Sequence, residues 1–285
     1  MALALILTAF APIVSGNDSN ANGRYHWARQ SSRFTLRVGD NVDGVWTKLL
    51  GWAISEWNEN DTVTLKEVNG AGNPQECRSV KGRVEVCNWR YGTQDGWLGL
   101  TRLFFDKKGT HIEAATVQMN DSFFDQKNGT YNSDAARRHT ICHELGHAIG
   151  LDHVSSRSCM NDSQSAVFNN LVPIKKDYTA LARLYKHKDS TTTVAGKQKK
   201  DRKERDKKNR DKKKQDKDKK NKRKEARDRK RDLRRKNRQA EANSFFEATS
   251  LPAVPSGLTS DETVIEQHLD DGRKMVTFIS WADDE

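Results

Sequence analysis

Four of the eight histidines in this 285-residue chain fall in one short stretch, HTICHELGHAIGLDH, residues 139–153. His143 and His147 stand four apart, a spacing that stacks two imidazoles on one helix face so that their nitrogens converge on one ion. Glu144 neighbours the first of them and can reach a water on that ion. Gly150 can end the helix, because glycine accepts the left-handed conformation needed there, and the chain can then turn back to bring His153 in as a third ligand. Three neutral imidazoles leave zinc one open position for water, which is the pattern of a catalytic site and not of a closed structural one. Zinc lowers the pKa of such a water towards ~7, and Glu144 is placed to take its proton and return it to a leaving amine. Five fixed residue types at these intervals should arise by chance in a chain of this length only on the order of once in 10^5.

The elements that must position these residues can be read on either side. FTLRVGD, from Phe34, alternates as a strand does. DGVWTKLLGWAISEWNEN puts Val45, Leu49, Ala53 and Trp57 at steps of four, with Trp46, Leu50 and Ile54 widening the stripe, so it reads as an amphipathic helix with Asp43 as its cap. TVTLKEV, GRVEVCNW, LGLTRLFF and HIEAATVQMN read as strands separated by turns such as DKKGT. A second helix should start at the cap signal Asn132 to Asp134 and carry the histidines. A third, IKKDYTALARLYKH, should follow Pro173. Strand, helix, strands, helix, helix is an α+β order with about 165 residues, enough to bury a core.

Charge is unevenly spread. Residues 197–238 hold 26 Lys or Arg against 9 Asp or Glu, a net +17, whereas the whole chain is +11, so the remainder is −6. The globular part is therefore not a basic nucleic-acid-binding fold. The basic run has almost no apolar residue and should be disordered or a fluctuating helix. It suits an anionic polymer or cell surface, and without aromatics for base stacking it does not suit sequence-specific nucleic acid. Beyond it, ETVIEQHLDDGRKMVTFISWA alternates on both sides of Asp270, Asp271 and Gly272, a β-hairpin signal. Such a hairpin could dock on the main domain, pair with a partner or stay loose.

The first residues, MALALILTAFAPIVSG, resemble a secretory signal peptide cut near Ser15 or Gly16. No other stretch is apolar for long enough to span a membrane. Four cysteines allow three pairings; Cys77–Cys87 and Cys142–Cys159 keep each loop local, and an exported chain can oxidise them.

Met160 follows His153 by seven residues, in SCMND. With HELGHAIGLDH it resembles the metzincin zinc peptidases, whose extended histidine motif is followed by a methionine turn beneath the metal. The resemblance implies one zinc on His143, His147 and His153, Glu144 as base, and Met160 as an apolar floor. GWLGLTRLFF, HIEAATVQMND, ICHELGHAIGLDH, CMND and DYTALARLY are similar to the edge strand, next strand, zinc helix, methionine turn and final helix of secreted matrixin-like proteases of bacteria. That similarity implies a twisted mixed sheet of about five strands, three helices and a zinc cleft. It also implies an edge strand at Gly99, Leu100, Thr101, Arg102 and Leu103 to which an extended peptide adds by main-chain hydrogen bonds.

Three departures stand out. No cysteine precedes the first strand to hold the site latent. Val154 follows the third histidine where several subfamilies have a polar residue. Asn161 and Asp162 follow the methionine without the Pro and Tyr that often shape the specificity pocket. The expected organisation is a signal peptide over 1–16, a zinc-dependent protease domain over 24–188, a charged linker over 189–243 and a tail over 244–285 with a hairpin at 263–281. The chain is expected to be a secreted, monomeric endopeptidase acting on peptide or protein. The competing expectation is a catalytically idle relative that binds polyanions or cell surfaces through the basic run. Structural calcium is left open by NDSFFDQKNG but not evident. His139 is expected in a surface or core role, and His26, His111, His187 and His268 as bystanders without a constellation.

Overall fold

The structure is a computed structural model that describes residues 25–195 and 263–282. The signal segment expected at 1–16, and the charged linker from residue 196 onward, lie outside the described residues. In chain order the elements are β1 (His26–Trp27), β2 (Phe34–Asn41), α1 (Trp46–Trp57), β3 (Val63–Asn69), β4 (Arg83–Trp89), β5 (Trp97–Phe105) and β6 (His111–Asn120). Then come α2 (Asp121–Phe124), α3 (Asp134–Ala148), a 3-10 turn (Gln164–Phe168), α4 (Lys175–Leu184), β7 (Val264–His268) and β8 (Lys274–Trp281). All the strands join one mixed sheet in the order β3-β2-β4-β6-β5-β8-β7, with β1 paired in parallel to the start of β6. β2, β3, β4 and β6 are mutually parallel, whereas β5 runs antiparallel to β6 and to β8.

The α+β class is as the pattern implies, but the sheet has eight strands rather than about five. The C-terminal hairpin docks on β5, and β1 adds a short pairing that two residues are too few to announce. The four helices among the described residues include α2, a single turn in which the Asn120 side chain accepts from Ser122 N. Residues 189–195, placed in the charged linker by composition, pack on the domain: Asp189 N donates to Arg29 O, Thr193 N to Ala28 O and Ala195 N to Gly82 O. No helix among the described residues is long and apolar enough to cross a membrane.

Helices α1 and α3 lie on the sheet, and α3 carries His139, His143 and His147. In α1 the stripe Trp46, Leu49, Leu50, Ala53, Ile54 and Trp57 is buried, as the period-four pattern requires, while Val45 stays exposed ahead of the first turn. Asp43 does not cap this helix with its side chain. Its main-chain oxygen accepts from Trp46 N, and its carboxylate accepts from Asn88 Nδ2. α3 starts where Ser133 Oγ accepts from Ala136 N. It ends in a left-handed turn at Gly150 (φ +97°), with Gly150 N donating to His147 O at 2.9 Å and Leu151 N to Gly146 O at 3.0 Å. A Cβ at Gly150 would also stand 2.3 Å from Tyr25 O, so glycine is required twice over.

Two fully buried tryptophans fix α3 from outside. Trp57 Nε1 donates to Cys142 O and Trp27 Nε1 to Ala148 O, each at 2.9 Å. Disulfides join Cys77 to Cys87 and Cys142 to Cys159, the second tying α3 to the residue before Met160.

Gly146, between His143 and His147, lets Met160 and Trp57 approach the helix. A Cβ there would stand 2.1 Å from Met160 Sδ and 2.8 Å from Trp57 Cζ2. Gly146→Ala gains up to about 1 kcal/mol of helix propensity but overpacks a fully buried contact, an effect of about 1–3 kcal/mol. A net loss of about 1–2 kcal/mol is expected in urea unfolding, and an unchanged or higher midpoint would show that the methionine is free to move aside.

Candidate metal centre

Helix α3 delivers His143 and His147, and the Gly150 turn delivers His153. Their Nε2 atoms lie 2.8 Å (143–147), 3.1 Å (147–153) and 3.2 Å (143–153) apart. Each Nδ1 faces an acceptor behind it: Cys159 O at 2.7 Å for His143, Leu151 O at 2.9 Å for His147, and Asp162 Oδ2 at 3.2 Å for His153. Protons on Nδ1 leave three Nε2 lone pairs aimed at one point. Burial holds the His143 and His147 imidazoles well below their usual pKa, with further lowering from the neighbouring imidazoles. Burial also lowers His153, against the pull of Asp162 and Asp152. Three neutral lone pairs this close repel one another unless a cation sits among them. Their separations are near the ~3.3 Å edge of a tetrahedron whose centre binds nitrogen at about 2.0–2.1 Å, so the donor set fits zinc.

Glu144 is fully buried beside this cluster. Its Oε2 accepts from Thr101 Oγ1 at 2.6 Å and its Oε1 from Ser280 Oγ at 2.5 Å. Burial pushes the carboxyl up to about 7, against the lowering by these two hydroxyls. Thr101 belongs to β5, and Gly99 on the same strand is what admits the glutamate: a Cβ there would lie 2.6 Å from Glu144 Oε1.

The stretch 99–103 is not an open edge. β8 covers it in antiparallel register, with Gly99 opposite Ser280, Leu100 opposite Ile279, Thr101 opposite Phe278, Arg102 opposite Thr277 and Leu103 opposite Val276. The Phe278 ring lies flat on His147, with centroids 4.1 Å apart and planes at 14°. Thr263 Oγ1 reaches 3.5 Å from His153 Nδ1. The expectation of a free strand at Gly99 to Leu103 is therefore corrected: the chain's own hairpin occupies it.

Met160 is fully buried beneath α3, against Gly146 and Trp57. Its turn is held by Ser158 Oγ, which accepts from Met160 N and donates to Asp177 Oδ2 at 2.6 Å. Asp177 in turn accepts from Ile174 N at the start of α4. Asp162, a departure from the expected methionine turn, is the acceptor that orients His153. The roles of Thr101, Phe278 and Ser280 leave no local signature, since each depends on a contact across the sheet.

The expectation that His26, His111 and His187 lack a constellation is also corrected. All three converge on Asp189, and His26, His111 and Asp189 offer ligand atoms within 4.8 Å of one another. His268 ends β7 and joins neither cluster.

No family model matches the chain, and no curated protein matches it. Among solved structures, archaemetzincin from Archaeoglobus fulgidus, complexed with malonate, is similar at 12% identity and a TM-score of 0.30, over 52% of this chain and 99% of that one. A likeness at that score carries no argument about this chain.

His139 takes the core role. It is buried, and its Nδ1 lies 2.7 Å from Asn170 O, linking α3 to the segment after the 3-10 turn. Burial lowers its pKa from 6.5 to about 4, partly opposed by that hydrogen bond. Below pH 6.5 the unfolded chain therefore binds a proton that the folded chain refuses until pH falls to about 4. The contribution is present above 6.5 and is lost as pH falls through this window, amounting to roughly 3 kcal/mol. In metal-free protein, urea midpoints at pH 7.5 and pH 4.5 should differ less for His139→Gln than for the wild type; equal differences would remove His139 from the acid sensitivity.

Proposed function

We propose that this chain is a secreted zinc-dependent endopeptidase of metzincin type, closest in its motifs to bacterial matrixin-like proteases, with Glu144 as general base. The observation that carries the reading is the convergence of three Nε2 atoms, two from a helix that also delivers the buried Glu144 and one from the turn after it. His143, His147 and His153 would hold the ion. When bound, zinc supplies Lewis-acid polarisation of a carbonyl and of a water in the position the three imidazoles leave open.

The protein's own residues do the rest. Glu144 Oε takes a proton from the attacking water and gives it to the departing nitrogen as the carbon–nitrogen bond breaks. Burial keeps its affinity for that proton high enough to move it in both directions. Thr101 orients the carboxylate from β5. The substrate is an extended segment that adds antiparallel to β5, as β8 does, through main-chain hydrogen bonds at 99–103. Met160 and the Cys142–Cys159 bridge fix the floor under the histidines. Two disulfides and a leader-like first segment support export. The +17 run of 197–238 would hold the enzyme at an anionic surface, and high salt should release it.

The alternative, an idle relative that acts by binding, has one supporting observation: the cleft is filled by β8. Casein cleavage separates the two readings. The zinc-loaded chain should cleave. Chelator should abolish cleavage, and Glu144→Ala should lower it about 10^2- to 10^4-fold while the protein still holds its zinc. If neither the zinc-loaded chain nor its Phe278→Asp variant, which displaces β8, cleaves casein or a broad peptide library, the binding reading stands.

A further inference from the structure

Asp189 Oδ1 lies 3.5 Å from His26 Nε2, 3.4 Å from His111 Nε2 and 3.3 Å from His187 Nε2. His26 Nε2 and His187 Nε2 are 3.0 Å apart. His26, His111 and Asp189 offer ligand atoms that all lie within 4.8 Å of one another, and the separations of both imidazoles from Asp189 Oδ1 are near the ~3.3 Å edge of a tetrahedral zinc shell. We propose that His26, His111 and Asp189 bind a second zinc ion, with His187 at its margin.

Nitrogen-rich donors favour zinc over calcium or magnesium, which take oxygen. The donors are set by the fold. His26 and His111 are register partners on the parallel pair β1 and β6. Asp189 is fixed through main chain and side chain together: its N donates to Arg29 O at 2.8 Å, and its Oδ2 accepts from Arg29 N at 2.9 Å. His111 Nδ1 lies 3.2 Å from Asp106 Oδ2, the carboxylate behind a ligating imidazole that fixes its tautomer. The His187 side chain is half exposed, which gives the ion a way in. Hydrogen bonds alone serve the cluster poorly, because one carboxylate oxygen faces three ring nitrogens, two of which also face each other. The ion would staple the first strand and the segment after α4 to the β5–β6 turn, a region neither disulfide reaches.

Metal content of the full-length chain tests this without any activity assay. After equilibration with buffered zinc, the wild type should hold two ions. His143→Ala with His147→Ala should hold one, and so should His26→Ala with His111→Ala. If the latter pair does not fold, Asp189→Asn should weaken the second zinc at least tenfold. Cobalt in His143→Ala/His147→Ala protein should give the intense visible bands of a four-coordinate ion. One zinc in the wild type, or no cobalt bands in that variant, overturns the proposal and leaves a hydrogen-bonded cluster.

The hairpin carries a second, independent inference, which rests on the peptidase reading. β8 runs along the substrate track of β5, Phe278 covers His147 and Ser280 engages Glu144. Residues Met275 to Ile279 of β8 are buried on both faces of the strand. β7 is held by Tyr25, whose hydroxyl donates to Glu266, and Lys274 lies 4.4 Å over the Tyr25 ring. We infer that residues 263–282 are an intramolecular inhibitor that must leave β5 before a substrate can bind.

Phe278→Asp in the full chain should raise the cleavage rate of fluorescent casein at least tenfold. It should equally tighten binding of a fluorescein-labelled peptide hydroxamate. A synthetic peptide of residues 263–282 should inhibit this variant. If Phe278→Asp does not fold, Phe278→Ala with Ser280→Ala carries the test. Tighter hydroxamate binding without turnover supports the occupancy and rejects the peptidase. No gain in either readout overturns the inhibitor.

Discussion

Three imidazoles can aim their lone pairs at one point only if each gives its other nitrogen's proton to an acceptor behind it. Much of the site's architecture serves that requirement. Cys159 O stands behind His143 because a disulfide ties Cys159 to α3, one residue before that histidine. Leu151 O stands behind His147 because the Gly150 turn folds the chain back over the end of its own helix. Asp162 stands behind His153 because Met160 is anchored against Gly146, placing the next residues beside the returning loop. Break any one of these supports and a ring can rotate or change tautomer, and the set no longer converges.

The same supports define how firmly the helix is seated. Trp27 and Trp57 donate to carbonyls at either end of the histidine-bearing turns, so α3 is held by directional bonds as well as by apolar contact. Burial this complete has an electrostatic consequence. It drives the imidazoles toward neutrality, which metal binding requires, and raises the proton affinity of the Glu144 carboxyl, which suits the base proposed for it. One dry environment thus tunes two kinds of group in opposite directions of pKa toward one task.

What the sequence disclosed follows the range of the interactions. The convergence of His143 and His147, the Ser133 cap and the Gly150 stop depend on residues within a few positions of one another, so spacing alone conveyed them. So did the α1 stripe and most strands. Thr101 was legible as strand but not as a partner of Glu144, because alternation assigns a face and not the neighbour across it. His26 and His187 are 161 residues apart, and no local pattern marks their meeting at Asp189. Asp43 misled for the opposite reason: it has the chemistry of a cap, but Asn88 on β4 claimed its carboxylate. The C-terminal hairpin was visible as a hairpin, whereas its docking partner was not, since an edge strand accepts any extended chain of suitable faces.

That last point bears on how such a cleft could open. The main-chain ladder between β5 and β8 is nearly independent of sequence, so an incoming peptide can rebuild it and the ladder terms largely cancel. The balance then rests on side chains: Phe278 on His147, Ser280 on Glu144, and the Tyr25–Glu266 and Lys274 contacts that anchor the hairpin from outside the cleft. A two-stranded hairpin is marginal on its own in water, so once off β5 it loses the contacts that order it. Weakening the anchors at Tyr25 therefore shifts occupancy of the cleft without touching His143, His147, His153 or Glu144.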